Sequence, residues 1–172
     1  MALATSKFDL DALRLSTGEG RRLQLHAAIP PYVLGAEPYP VESTPIPVSV
    51  EVSRTNADGY ALRLRFQATL RGPCMRCLQT ATPTFDVEAR EVSQPGGEEE
   101  LQSPYVVGGV LDVDGWARDA LALMLPTKLL CREDCAGLCP QCGIDLNMAE
   151  EGHAHSSEPD PRWAKLSEIR FQ

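Results

Sequence analysis

Tyr60-Ala61-Leu62-Arg63-Leu64-Arg65-Phe66-Gln67-Ala68-Thr69-Leu70 is the stretch that decides the fold. Apolar Tyr60, Leu62, Leu64, Phe66, Ala68 and Leu70 alternate without a break, the side-chain period of a strand with one buried face. Upstream, Val48, Val50 and Val52 keep the same period, and Asn56-Ala57-Asp58-Gly59 between the runs supplies turn residues, so the two are expected to pair as a hairpin. Leu23, Leu25, Ala27 and Ile29 before them, and Phe85, Val87 and Ala89 after them, extend the pattern to an antiparallel sheet of about four or more strands.

Around that sheet the chain changes character. Pro30, Pro31, Pro38, Pro40, Pro45 and Pro47 read as a surface crossing, because proline has no amide donor and disfavours helix in the residue before it. Ser93 to Ser103, with Gly96-Gly97-Glu98-Glu99-Glu100, has little to bury and is expected to be a mobile loop. Asp114 is placed to cap a helix running to about Leu125, with Trp116, Ala120, Leu123 and Met124 at helical spacing and Pro126 as its stop. A second, short amphipathic helix is expected from Asp160 and Pro161, with Trp163, Leu166 and Ile169 on one stripe. The fold class is α+β: an antiparallel β-sheet with a covering helix and a zinc-binding, cysteine-rich C-terminal segment. Residues 1–130 form the β-rich part and 131–172 the zinc-binding tail.

The 172 residues are 43% hydrophobic, enough for one principal domain. The first residues lack the charged start and apolar run of a signal peptide, and no stretch is long enough to span a bilayer. A cytoplasmic protein without membrane contact is expected, and in that compartment closely spaced cysteines point to metal before disulfides. Net charge is −8; residues up to Val92 carry 10 basic and 10 acidic side chains, the rest 6 and 14. A nucleic-acid footprint, which needs cations to replace phosphate counterions, must therefore be local.

Cys131, Cys135, Cys139 and Cys142 fall within twelve residues, and Cys139-Pro140-Gln141-Cys142-Gly143 has the form of a zinc knuckle. A two-residue gap lets both sulfurs reach one ion at about 2.3 Å, while the glycine permits the turn that aims amides at them. This contiguous set is the first choice for a Zn2+ site. Cys74 and Cys77 make a second pair of the same spacing, so a ribbon of Cys74, Cys77, Cys139 and Cys142, or a set that admits His153 or His155, stands behind it. Read alone, His153 and His155 belong to a solvated loop. Neither an HExxH helix nor a comparable base accompanies the thiols, and four thiolates close the coordination sphere, so the zinc is expected to hold structure and the protein to be no enzyme. The competing chemistry is a thiol oxidoreductase using Cys74 and Cys77, with Arg76 lowering a thiol pKa.

Arg63 and Arg65 lie on the strand face opposite Leu62, Leu64 and Phe66, and Arg71 and Arg76 follow. Together they are a candidate RNA-binding surface through bidentate phosphate contacts, against the plain reading of a solvated sheet face.

Taken together, Phe8-Asp9-Leu10, the Cys74–Cys77 pair with Leu78, Leu125-Pro126, Leu130-Cys131 through Gly143 with Leu146-Asn147, and Asp160-Pro161-Arg162-Trp163-Ala164-Lys165-Leu166 resemble the YceD family over nearly the whole chain. The resemblance implies a non-enzymatic factor needed for accumulation of large-subunit ribosomal RNA, metal-binding and nucleic-acid-binding, with rRNA or large-subunit ribosomal proteins as partners and no small-molecule substrate. A protein-binding adaptor without RNA contact is the alternative within that class. Because the Cys-x-x-Cys pair also occurs in members without the tail, the resemblance implies a separate job for Cys74 and Cys77. Where many tail-bearing members continue with Cys-x-Cys, this chain has His153-Ala154-His155.

Overall fold

The computed structural model describes residues 7–56, 58–98 and 101–155. In chain order its elements are β1 (Lys7–Asp9), β2 (Gly20–Ala27), β3 (Tyr32–Leu34), β4 (Glu37–Tyr39), β5 (Ile46–Arg54), β6 (Tyr60–Thr69), β7 (Gly72–Pro73), β8 (Thr80–Ala81), β9 (Thr84–Ser93), β10 (Val106–Val107), β11 (Val110–Asp112) and α1 (Val113–Met124).

The decisive alternating run is β6, an inner strand of a four-stranded antiparallel sheet ordered β2-β5-β6-β9. Its register carries one apolar row across all four strands, Leu23 opposite Val50, Val50 opposite Leu64, and Leu64 opposite Ala89. The next row, Arg22, Glu51, Arg63 and Arg90, points to the other face. A strand period of two makes these rows inevitable once one face is buried. The apolar face is covered by α1, which buries Val113, Trp116, Ala117, Ala120 and Leu121 and packs against both edge strands, β2 and β9. A second, three-stranded sheet of β1, β11 and β10 leads into the helix.

Sheet order follows chain order, so the strands form a meander with two insertions. The hairpin β3–β4 joins β2 to β5 and the hairpin β7–β8 joins β6 to β9, which brings both to the same end of the sheet. There they lock together. Val41 bridges Leu70, the Arg71 amide donates to the Pro40 carbonyl at 3.0 Å, and the Tyr39 hydroxyl donates to the Pro73 carbonyl at 2.8 Å. The buried Tyr39 ring lies flat against Gly72, where a Cβ would come within 2.2 Å of the ring.

Two expectations change, and one stretch gains detail. The proline-rich stretch is more than a surface crossing, since it holds β3–β4 and buries Ile29, Tyr39, Val41 and Ile46. The cap of α1 is Asp112, whose side chain accepts from the Gly115 amide at 3.0 Å, while Asp114 reaches back to the Ala28 amide at 2.8 Å. In the acidic stretch, the Gln94 amide donates to the Leu101 carbonyl and the Gln102 side chain to the Gly97 carbonyl, because backbone turns there satisfy one another. The expected helix from Asp160 to Ile169 lies outside the described residues. No helix among the described residues is long and apolar enough to cross a membrane.

Candidate metal centres

The hairpin β7–β8 exists to present Cys74-Met75-Arg76-Cys77. The Cys74 amide donates to the Gln79 carbonyl at 2.7 Å and the Leu78 amide to the Cys74 carbonyl at 3.0 Å, which closes a tight turn with both sulfurs on its inside. Leu78 pays for that turn with a left-handed φ of 61°. The tail repeats the construction. The Cys139 amide donates to the Ile144 carbonyl at 2.8 Å, the Gly143 amide to the Cys139 carbonyl at 2.9 Å, and Gly143 has φ 73°. The two pairs are thus the same knuckle, one with the glycine the geometry favours and one with leucine.

The contiguous set Cys131, Cys135, Cys139 and Cys142 is not what folding brings together. Cys131 and Cys135 join Cys74 and Cys77, while Cys139 and Cys142 join His153 and His155, and in each group all ligand atoms lie within 4.8 Å of one another. The reason is geometric: each knuckle turn aims its two sulfurs at one point and needs two further donors to complete a tetrahedron. For the first knuckle these come from the run after α1, where the Met75 amide donates to the Leu129 carbonyl at 2.9 Å and draws residues 129–135 alongside. For the second they come from the turn at Gly152. Neither a ribbon of both knuckles nor a separate job for Cys74 and Cys77 survives this pairing.

In the first group, Cys74 and Cys135 sulfurs are 3.8 Å apart and those of Cys77 and Cys131 are 3.6 Å apart. Sulfurs placed about 2.3 Å from one tetrahedral ion would sit about 3.8 Å from each other. All six cysteines are free thiols, so each group is open to a metal ion. The surroundings prepare the site. Cys74, Cys77 and Cys135 are buried; the Arg76 amide points at the Cys74 sulfur at 3.5 Å and the Asn147 side-chain amide at the Cys135 sulfur at 3.6 Å. Burial raises the Cys74 thiol, but amide donors from Cys77, Arg76 and Cys131 outweigh it and bring it down to about 6. Cys131 moves the other way, pushed up to about 12 by burial and then by its hydrogen bonds to Cys77 and Cys135.

In the second group, His155 Nε2 is 3.2 Å from the Cys142 sulfur and 3.0 Å from His153 Nε2, which is itself 3.5 Å from that sulfur. The amides of Cys142 and Gln141, and then the His153 side chain, lower the Cys139 thiol to about 6. Gly137, between the two groups in the chain, lies close to the first knuckle: a Cβ added there would stand 3.3 Å from the Arg76 carbonyl.

The candidate RNA-binding arginines fall into separate settings. Arg63 and Arg65 lie on the exposed sheet face as expected, but both are held by Glu88, at 2.8 and 3.0 Å, with Arg90 at 3.1 Å on the same carboxylate and Arg22 on Glu51 at 2.6 Å. Hydrogen bonds from Arg63 and then Arg65 hold the Glu88 carboxyl down to about 2. Arg71 is exposed on the linked hairpins, and Arg76 donates to the Cys135 carbonyl at 2.8 Å, which assigns it to the first metal centre. Sequence reasoning missed Asn147, whose Oδ1 accepts from the Ala136 amide and from Arg132, both at 2.8 Å. A lone asparagine fifteen residues beyond the arginine it binds carries no spacing signal.

The sequence profile described as large ribosomal RNA subunit accumulation protein YceD matches residues 62–170, a span that holds every ligand of both groups. The chain belongs to the YceD family. It is also similar to an uncharacterised protein of Mycobacterium tuberculosis, 32% identical over 95% of this chain and 82% of that protein, and equally to one of Mycobacterium bovis. A protein of Mycobacterium leprae is 34% identical over 56% of this chain and 46% of its own length. No solved structure matches the chain.

Proposed function

We propose that this YceD-family protein is a non-enzymatic, zinc-stabilised factor that supports accumulation of large-subunit ribosomal RNA in the cytoplasm by binding rRNA or a ribosomal protein. The observation that carries the reading is that the family's match spans both ligand groups, and each group has four donors. Four protein ligands complete a tetrahedral zinc and leave no position for a reacting water, so the ion's work is to fix structure. Thiolate-rich sets favour zinc over hard divalent cations. Cys74 and Cys77, the pair that a thiol oxidoreductase would use, are buried within the four-sulfur group. A cleft of about 540 Å³ lies at the far end of the sheet beside Tyr60 and Ser93, away from the sulfurs.

The pairing of the sheet arginines favours a second reading, a protein-binding adaptor. An RNA phosphate must displace Glu88 or Glu51 to reach Arg63 or Arg65, whereas a mixed-charge face and an acidic tail suit a basic ribosomal protein. Sedimentation of lysates tests the main reading: the protein is expected in large-subunit precursor fractions, with large-subunit rRNA reduced on deletion. Absence from those fractions together with normal rRNA would overturn it. Binding to rRNA that weakens steeply with salt supports direct phosphate contact, and no binding at low salt supports the adaptor.

A further inference from the structure

We infer that Cys139, Cys142, His153 and His155 form a second zinc site, filled independently of the four-sulfur group and exchanging its ion with solution before that group does. It stands apart from the rRNA reading, because it concerns metal binding alone.

The first support is convergence. Half-buried His153 and exposed His155 aim their Nε2 atoms at each other, 3.0 Å apart, and at one sulfur, 3.5 and 3.2 Å away, though each Nε2 has a single proton or lone pair to share between those two neighbours. The rings meet edge to face at 4.7 Å, a favourable aromatic contact that does not by itself bring the Cys142 sulfur to both Nε2 atoms. A cation at the shared point accounts for that convergence: tetrahedral donors about 2.0–2.3 Å from zinc would be spaced about 3.3–3.8 Å apart, against 3.0–3.5 Å here. The second support is the backbone. The knuckle that presents Cys139 and Cys142 repeats the hydrogen bonds of the knuckle in the first group, and the His153 amide, donating to the Glu150 carbonyl at 3.1 Å after Gly152 at φ 88°, folds the histidines back over it.

Charge and exposure then separate the two sites. Four thiolates around a dication leave a net charge of −2, offset locally by Arg76 on the Cys135 carbonyl. Two thiolates and two neutral imidazoles balance the dication outright, so the second site can fill without a neighbouring cation. Three of its ligands reach solvent, exposed Cys142 and His155 and half-buried His153, with Cys139 buried, whereas in the first group only Cys131 is exposed and Cys74, Cys77 and Cys135 are at most 2% exposed. A chelator enters by replacing ligands one at a time, which needs ligands that solvent can reach. The second site also closes only the short span from 139 to 155, so losing its ion leaves the sheet intact, while the first ion ties the tail to β7–β8.

The test is zinc content and chelator-driven release, followed with 4-(2-pyridylazo)resorcinol on the full chain purified with zinc. Wild type is expected to hold two zinc ions and to give them up in a fast and a slow phase of equal amplitude. His153→Ala with His155→Ala is expected to lose one equivalent and the whole fast phase, keeping the slow phase and the far-ultraviolet spectrum. His153→Cys with His155→Cys is expected to restore the second equivalent, which a mere packing role would not. Two equivalents retained in the alanine variant, or one equivalent in both wild type and the cysteine variant, would overturn the proposal.

Discussion

Gly72→Ala tests how the fold aims the first metal centre. The added Cβ would stand 2.2, 2.4 and 2.9 Å from three atoms of the Tyr39 ring, where apolar atoms settle at about 3.5–4.0 Å. Tyr39 cannot swing away cheaply, because it is 3% exposed and its hydroxyl is tied to the Pro73 carbonyl. Forcing it out costs about 1–3 kcal/mol in strain. Loss of the hydroxyl's hydrogen bond adds about 1 kcal/mol, so the total is about 2–4 kcal/mol. Urea denaturation of the zinc-loaded protein measures this directly, and the cycle with Tyr39→Ala isolates the clash: Gly72→Ala should cost close to nothing once the ring is gone. Because Gly72 begins the strand that leads into Cys74, the variant should also release zinc from the slow site faster. An unchanged denaturation midpoint, or the same cost with and without the Tyr39 ring, would refute the steric explanation.

Other perturbations reach other layers. Leu64→Ala removes a fully buried side chain at the centre of the apolar row and should cost about 2–5 kcal/mol in the same urea experiment. Asn147→Ala removes the amide aimed at the Cys135 sulfur and should weaken zinc at the first centre about 10–100-fold in a competition titration, leaving the second centre unchanged. Leu78→Gly relaxes a left-handed residue whose side chain is 68% exposed and should raise stability by up to about 1 kcal/mol, whereas Gly143→Leu should lower it. Glu88 has its carboxyl lowered from 4.5 to about 2 by Arg63 and Arg65, so the stability it contributes is present above about pH 4.5 and is lost as pH falls through about 2. Comparing Glu88→Gln with wild type across that window by urea midpoint should show the two curves converging at the acid end, and more so in high salt.

The central sheet was legible because a buried face imposes a period of two, which β5 and β6 keep almost throughout and β9 keeps from Phe85 to Ala89. The four tail cysteines were legible as candidate metal ligands for the same kind of reason, a close spacing, and Cys74 and Cys77 as a second pair of the same form. Their partition was not. Proximity in sequence favoured joining Cys135 to Cys139, but the turn between them at Gly137, φ 82°, sends the two halves to different partners. What decided the matter is a long-range contact, the Met75 amide on the Leu129 carbonyl, which no local pattern encodes. For the arginine face the limit was different: alternation placed Arg63 and Arg65 on the exposed side, yet only the register shows that Glu88, opposite Arg65, pairs with both.

The most direct test of that partition is cadmium-113 substitution with proton–cadmium correlation spectroscopy, which identifies the ligands of each ion through their scalar couplings. One cadmium signal should correlate with the β-protons of Cys74, Cys77, Cys131 and Cys135, and a second with Cys139, Cys142 and the ring protons of His153 and His155. A single signal correlated with Cys131, Cys135, Cys139 and Cys142 would contradict it.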